Sequence, residues 1–478
     1  MTETEDRGKH LRVAIVGAGP AGFYAAERLL NSTQPAFEID IIDRVPTPFG
    51  LVRSGVAPDH QKIKAVSKVF DRVAQDDRCR FFGNLTFGEH VTREDLHRHY
   101  HAIIYATGAQ ADRHLDVPGE DLRRVYSATD FVAWYNGHPH YRDLHFDLSS
   151  PRVAIIGVGN VAVDVARMLC RSPNELAKTD IADYALETLR HSAVETVYLI
   201  GRRGPVQAAF TLPELKELQR FEDVTLVTRD EEMVLDEHSQ KELEATSERS
   251  LQAKVEILRS LVGNRRAGAN RKRLEIRFLL SSTAVRGDGS GCVGSLRLVR
   301  NELCRDERGR VRPQPTDQYE TLRVGAVFRS VGYRGVALPD VPFDERQGVI
   351  PNERGRVIDP DSGQQLAGEY TAGWIKRGPT GQIGTNKADA AETIASLLAD
   401  AQVGRLPQPE NPAPEAPAML IAQRQQHVFT YDDWQRLDTW EREHGAQRGR
   451  PRLKLTSIED MLAVCGRARR RNRTLAMH

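Results

Sequence analysis

No pair of cysteines in this sequence is spaced as C-x-x-C. The five present, Cys79, Cys170, Cys292, Cys304 and Cys465, are scattered and odd in number. That pattern excludes a disulfide scaffold, a zinc ribbon, an iron–sulfur cluster and a redox-active dithiol, and no metal site is expected. Any redox chemistry must therefore come from a bound organic cofactor. Long apolar runs are missing too: none approaches the roughly 18 residues of a membrane helix. The opening MTETEDRGKH is polar and acidic, unlike a signal or transit peptide, so a cytoplasmic location is expected. Nor does one sign of charge dominate. Lys plus Arg is 67 and Asp plus Glu 66, which gives no argument for nucleic acid or membrane. What remains is a globular composition, 40% hydrophobic and 28% charged, over 478 residues, enough for two or three domains.

Apolar runs and helix-like stretches occur twice in the same order. Residues 12–17 (RVAIVG) read as a buried strand, AGPAGFYAAERLL as a helix and 37–43 (FEIDIID) as a second strand. The pattern restarts with 152–157 (RVAIIG), a helix over 160–170 and 196–201 (TVYLIG). Each βαβ unit needs parallel neighbours and helices on both faces, so the expected fold class is α/β with two Rossmann-like domains. Strand–loop–helix character returns at 370–400. The stretch LPQPENPAPEAPA that follows reads as a linker.

Each unit carries a glycine fingerprint between strand and helix. In the first, Gly17 permits a tight turn, Gly19 lets backbone approach a pyrophosphate, and Gly22 allows close helix–strand packing. Asp43 ends the next strand, where a carboxylate accepts from ribose hydroxyls and repels a 2′-phosphate; this site suits FAD or NAD. In the second, Gly157, Gly159 and Ala162 repeat the spacing. Its next strand ends in Gly201-Arg202-Arg203-Gly204, and two guanidiniums there suit the 2′-phosphate of NADP(H).

With both fingerprints, and with PTPFGLVRSGVAPDHQKIK (46–64), GVGNVAVDVARML (157–169), GRRGPVQAAFTLPEL (201–215) and GWIKRGPTGQIGTNKADA (373–390), the sequence resembles the ferredoxin–NADP reductases of the adrenodoxin reductase type from about residue 12 to 400. The resemblance implies an NADP domain (116–330) inserted into an FAD domain (11–115 with 331–402), followed by a C-terminal extension (403–478). It implies FAD contacts from Ala21, Asp43, Leu51, Trp374, Gly381, Gln382 and Ile383. For NADP it implies Arg113, Asn160, Val161, Arg202, Arg203, Glu214 and Gly381. His60 and Asp164 match polar residues near the reacting rings, His60 as a group that orients or assists and Asp164 as a carboxylate near a helix start. The implied activity is electron transfer from NADPH through FAD to a separate ferredoxin-type iron–sulfur protein. Such carriers are acidic, and the run Arg265, Arg266, Arg271, Lys272 and Arg273 is the expected docking surface. Nothing announces the substrate pocket of an oxygenating flavoenzyme or the appendages of a nucleotide-sensing regulator.

Overall fold

A computed structural model describes residues 10–264 and 272–467. Contacts divide the chain into two units. The first takes in residues up to Ala111, Asn136–Arg142 and the chain from Tyr333 onward; the second comprises Asp112–Tyr135 and Asp143–Gly332. The chain thus leaves the first unit, builds the second and returns, with one brief re-entry at 136–142. The contact boundaries place 112–115 and 331–332 in the second unit, and the described residues after 402 in the first.

In the first unit, β1 (Leu11–Val16), β2 (Phe37–Ile42), β3 (Cys79–Phe82) and β4 (Ala102–Tyr105) are parallel. Strand Gln365–Thr371 joins them in parallel beside β4, with Tyr370 opposite Ile104. Two short antiparallel strands, Asn352–Glu353 and Arg356–Ile358, complete a seven-stranded sheet. The unbroken apolar run of β1 follows from burial on both faces. Val13 and Ile15 pack with Phe23 of the following helix, α1 (Pro20–Leu30), and with Phe70 and Leu397. Ala14 and Val16 pack on the opposite face with Tyr105, Val357 and Ile375.

The second unit repeats this plan. Here β5 (Val125–Ser127), β6 (Arg152–Ile156), β7 (Thr196–Ile200), β8 (Val224–Thr228) and β9 (Lys272–Arg277) share a parallel sheet with strand Ala326–Arg329. Helix α2 (Asn160–Cys170) follows β6. LEIR (274–277) lies in β9, whereas Leu280–Gly287, Val293–Arg305 and Val311–Arg323 form a separate three-stranded antiparallel sheet.

The proline-rich stretch is not a free linker. Arg12 Nη1 donates to the carbonyl of Ala413 at 2.8 Å, Arg80 Nη1 to that of Pro414 at 2.8 Å, and Asn411 N to Arg98 O at 2.8 Å. Both arginines are held by the buried carboxylate of Asp40 at 3.1 and 2.6 Å. A proline segment has few N–H donors but keeps its carbonyls, and these accept the guanidinium bonds. Beyond it, Phe429, Trp434, Leu437 and Met461 enter the core of the first unit. Among the described residues, no helix is long and apolar enough to cross a membrane.

Candidate dinucleotide-binding sites

The two glycine turns have the same geometry. Gly17 N donates to Ile42 O and Gly157 N to Ile200 O, each at 2.8 Å, which ties each turn to the neighbouring strand. Both residues have positive φ, +115° and +129°. A Cβ at Gly17 would stand 2.4 Å from Ala106 O, and one at Gly157 2.0 Å from Ser330 O, so only glycine fits. Gly19 and Gly159 differ from these: a Cβ on either would meet no atom within 4 Å. Each is the residue before its helix, in extended conformation, with no side chain capping the helix N-terminus. Open space in front of uncapped N–H groups suits a pyrophosphate. The residues present therefore fit a dinucleotide at both turns. At the third position Gly22 lies against Gly17 O, and the buried Ala162 takes the corresponding place in the second unit.

In the first unit the carboxylate of Asp43 accepts from Ala18 N at 2.7 Å and Val45 N at 3.0 Å, one bond per oxygen. Each oxygen keeps a second lone pair for a ribose hydroxyl. Burial raises the Asp43 pKa, and the two backbone bonds and Arg44 oppose that shift. The loop carrying Leu51 lies on the same turn. Phe49 N donates to Ala18 O at 2.8 Å, and a Cβ on Gly50, whose φ is +48°, would come within 2.9 Å of the Gly19 Cα. A small pocket beside it is lined by Asp43, Thr47, Gly50, Arg53, Asn136 and His138, among others. Gly373 brings the later segment to the same place: its Cβ would meet that of Ala21 at 2.5 Å. Trp374 opens the short helix Trp374–Arg377, donates from Nε1 to Thr380 O at 3.1 Å, and packs against Tyr333. Gly381, Gln382 and Ile383 precede the 18-residue helix Thr385–Gln402, Gly381 and Gln382 being exposed. His60 is buried and precedes the helical turn Gln61–Lys64.

In the second unit, Phe210 N donates to Val158 O and Thr211 N to Asn160 Oδ1, both at 2.9 Å. The loop after β7 is thereby folded onto the glycine turn that precedes Val161. Arg202 and Arg203 are exposed on this loop, and neither side chain has an ion pair or hydrogen bond among the described residues. The Arg203 pKa is lowered by desolvation and then by the charge of Arg202 and of Arg312, with Glu242 opposing. Clustered cations that make no ion pair or hydrogen bond with a carboxylate offer a place for a phosphate. Arg113 is exposed, with its N–H on Gly332 O at 3.0 Å. Asp164 is the fifth residue of α2, past the first turn where the macrodipole acts. Its observed partner is Arg167 at 3.3 Å, so the helix-start reading is corrected. Arg167, 1% exposed, also holds Glu214 at 3.2 Å and Glu217 at 3.1 Å. Arg167 thereby brings Asp164 and Glu214 together, a role the sequence reading missed. No motif marks an arginine of this kind.

Of the expected docking residues, Arg265, Arg266 and Arg271 lie outside the described residues. Lys272 donates to Leu169 O at 2.7 Å and Arg273 pairs with Glu275 at 3.0 Å. All five cysteines are free. Burial pushes Cys79 and Cys170 up to about 12 and Cys465 to about 11, which leaves these three as unreactive thiols.

Two turns of this geometry, one facing a carboxylate and the other two unpaired arginines, define a two-dinucleotide oxidoreductase. The chain belongs to the pyridine nucleotide-disulphide oxidoreductase family, whose model matches residues 11–361. It is 45% identical over 463 residues to the NADPH-ferredoxin reductase FprA of Mycobacterium tuberculosis, covering 95% of this chain and 98% of that one. It is 39% identical to the mitochondrial NADPH:adrenodoxin oxidoreductase of Arabidopsis thaliana, covering 95% of each. The solved structure of M. tuberculosis FprA in complex with NADPH is 44% identical, covers 95% of this chain and 99% of that one, and superposes with a TM-score of 0.88.

Proposed function

We propose that the chain is an FAD-containing NADPH:ferredoxin oxidoreductase. The observation that carries this reading is the pair of glycine turns, alike in backbone and opposite in the charge that flanks them. The names of the relatives support it. FAD, when bound, supplies a centre that takes an electron pair and returns electrons singly. On this reading Gly17, Gly19, Ala21, Gly22, Asp43, Leu51, Trp374, Gly381, Gln382 and Ile383 hold FAD. NADP(H) is held by Arg113, Gly157, Gly159, Asn160, Val161, Arg202, Arg203, Glu214 and Gly381. Uncapped N–H groups at α1 and α2 face the two pyrophosphates. His60 orients groups beside the flavin, and Asp164 is placed by Arg167 for the nicotinamide side. Hydride transfer needs no acid or base, so neither residue is essential to it. The iron–sulfur partner docks on the basic run Arg265, Arg266, Arg271, Lys272 and Arg273, of which Lys272 and Arg273 also make contacts within the unit.

Anaerobic stopped-flow mixing tests the proposal. The purified protein is expected to be yellow, to bleach with NADPH and to regain colour on mixing with a ferredoxin. Purification without flavin, or reoxidation by oxygen alone with no acceleration by any ferredoxin, would overturn it.

A further inference from the structure

The carboxylate of Glu441, on the helix Tyr431–Gln447, has no solvent exposure. It is nevertheless fully partnered. Its Oε1 accepts from Arg53 Nη2 at 2.6 Å and Leu455 N at 2.8 Å; Oε2 accepts from Arg53 Nη1 and Arg452 Nη1, both at 2.9 Å. Burial alone would raise its pKa, but Arg53 and Arg452 outweigh that and hold it below the usual carboxylate range. The guanidiniums of Arg53 and Arg452 stand 5.0 and 5.9 Å from the Trp434 ring centre, and that ring meets Phe49 edge-on at 5.6 Å. Lys454 adds a second grip: its ammonium donates at 3.1 Å both to the backbone carbonyl of Arg53 and to Asn136 Oδ1. The C-terminal segment therefore holds Phe49, the side chain and backbone of Arg53, and Asn136. The gripped loop is the one whose Gly50 closes on Gly19, and Arg53 and Asn136 line the pocket beside Asp43.

We propose that Glu441, assisted by Lys454, is a positioning residue for the flavin nucleotide, holding Arg53 so that the 47–54 loop closes on the Gly19 turn. FAD retention by the first unit then depends on residues 431–455. The inference rests on the reading of that turn as the FAD site. It assigns the C-terminal segment a part in cofactor binding that no sequence motif marks. A neutral side chain at 441 leaves two guanidiniums without their shared carboxylate, and desolvated cations in that position favour a rearranged loop.

The test uses the full chain as parent, Glu441→Gln, Lys454→Met and Leu462→Ala. Leu462 is buried in the same core but bonds to nothing in the loop. Apoproteins are titrated with FAD, and the visible circular dichroism of the bound flavin, NADP+ affinity and apoprotein melting temperature are recorded. Glu441→Gln is expected to weaken FAD binding roughly tenfold to a hundredfold, as for loss of charged hydrogen bonds. Lys454→Met should weaken it severalfold, and both should alter the flavin dichroism with NADP+ affinity unchanged. Leu462→Ala should lower the melting temperature and leave FAD affinity near the parent value. FAD affinity within twofold of the parent in both polar variants overturns the inference, as does a loss in Leu462→Ala equal to theirs. Should Glu441→Gln fail to fold, Lys454→Met decides. A parent apoprotein that takes up no FAD overturns the cofactor reading itself.

Discussion

Arg202 and Arg203 stand exposed and unpaired where an NAD site would hold a ribose-binding carboxylate. Each charge-assisted bond to a 2′-phosphate contributes roughly 1.5–3 kcal/mol when well formed, less when solvated. Replacing either with alanine is therefore expected to cost about tenfold to a hundredfold in NADPH-over-NADH selectivity, since ~1.4 kcal/mol is a factor of ten. The loss should appear in the NADPH Michaelis constant more than in the maximal rate, as for ground-state binding. Steady-state kinetics with both coenzymes measures this, and a parental ratio in the single and double variants would remove the arginines from the account. His138 carries a different residue-scale expectation. Burial, then the positive charge of His140, Arg44 and Arg53, pushes its pKa from 6.5 down to about 3. The unfolded chain then binds the extra proton between those values, so the FAD-free protein loses stability as pH falls below about 6.5. Between pH 6.5 and 5 the loss amounts to roughly 1–2 kcal/mol. Urea midpoints at those two pH values should differ in the parent and converge in His138→Asn, which keeps a side-chain acceptor for His140 N.

At the scale of elements, β1, β6 and their turns were readable because a buried parallel strand is apolar throughout and the turn glycines answer to local sterics. Asp43 and the arginine pair were equally legible, since each follows its strand directly. The helix over 160–170 was read with its observed bounds, which already put Asp164 past the first turn; what spacing did not reveal is that Arg167 is its neighbour. The C-terminal segment was illegible for another reason. Arg53 and Glu441 are 388 residues apart, and proline-rich composition looks the same whether its carbonyls face water or Arg12 and Arg80. A chain ending at Val403 loses Phe429, Trp434, Leu437 and Met461, all at most 3% exposed. At roughly 1.5–3 kcal/mol for each buried side chain, that sum rivals the ~5–15 kcal/mol net stability of a typical domain. The truncated chain is expected to be insoluble or colourless. Soluble yield and flavin absorbance measure the outcome, and a soluble yellow product would show that the first unit closes without these residues.

At the scale of the whole molecule, the formal net charge of +1 gives no long-range pull on an acidic partner. Attraction on the proposed reading has to come from the local basic run. Raising salt from about 0.05 M to about 0.5 M shortens the screening length severalfold. Ferredoxin reduction at saturating NADPH should slow accordingly, while reduction of ferricyanide, a small acceptor that needs no docking surface, should change little. Equal salt responses of the two acceptors would rule out electrostatic docking. The order of the two units along the chain also sets a timetable for synthesis. When Ala111 leaves the ribosome, β4 still lacks its neighbour Gln365–Thr371, and Phe49 and Phe70 still lack the segment that covers them. Translation must pass through the entire second unit before either arrives. From residue 111 to residue 467 is 356 residues, or about 20–70 s at roughly 5–20 residues per second. Until Thr371 emerges the nascent chain presents a half-built sheet with an open edge at β4 while the second unit is being made, and that bare edge is where ribosome-bound chaperones are expected to be found.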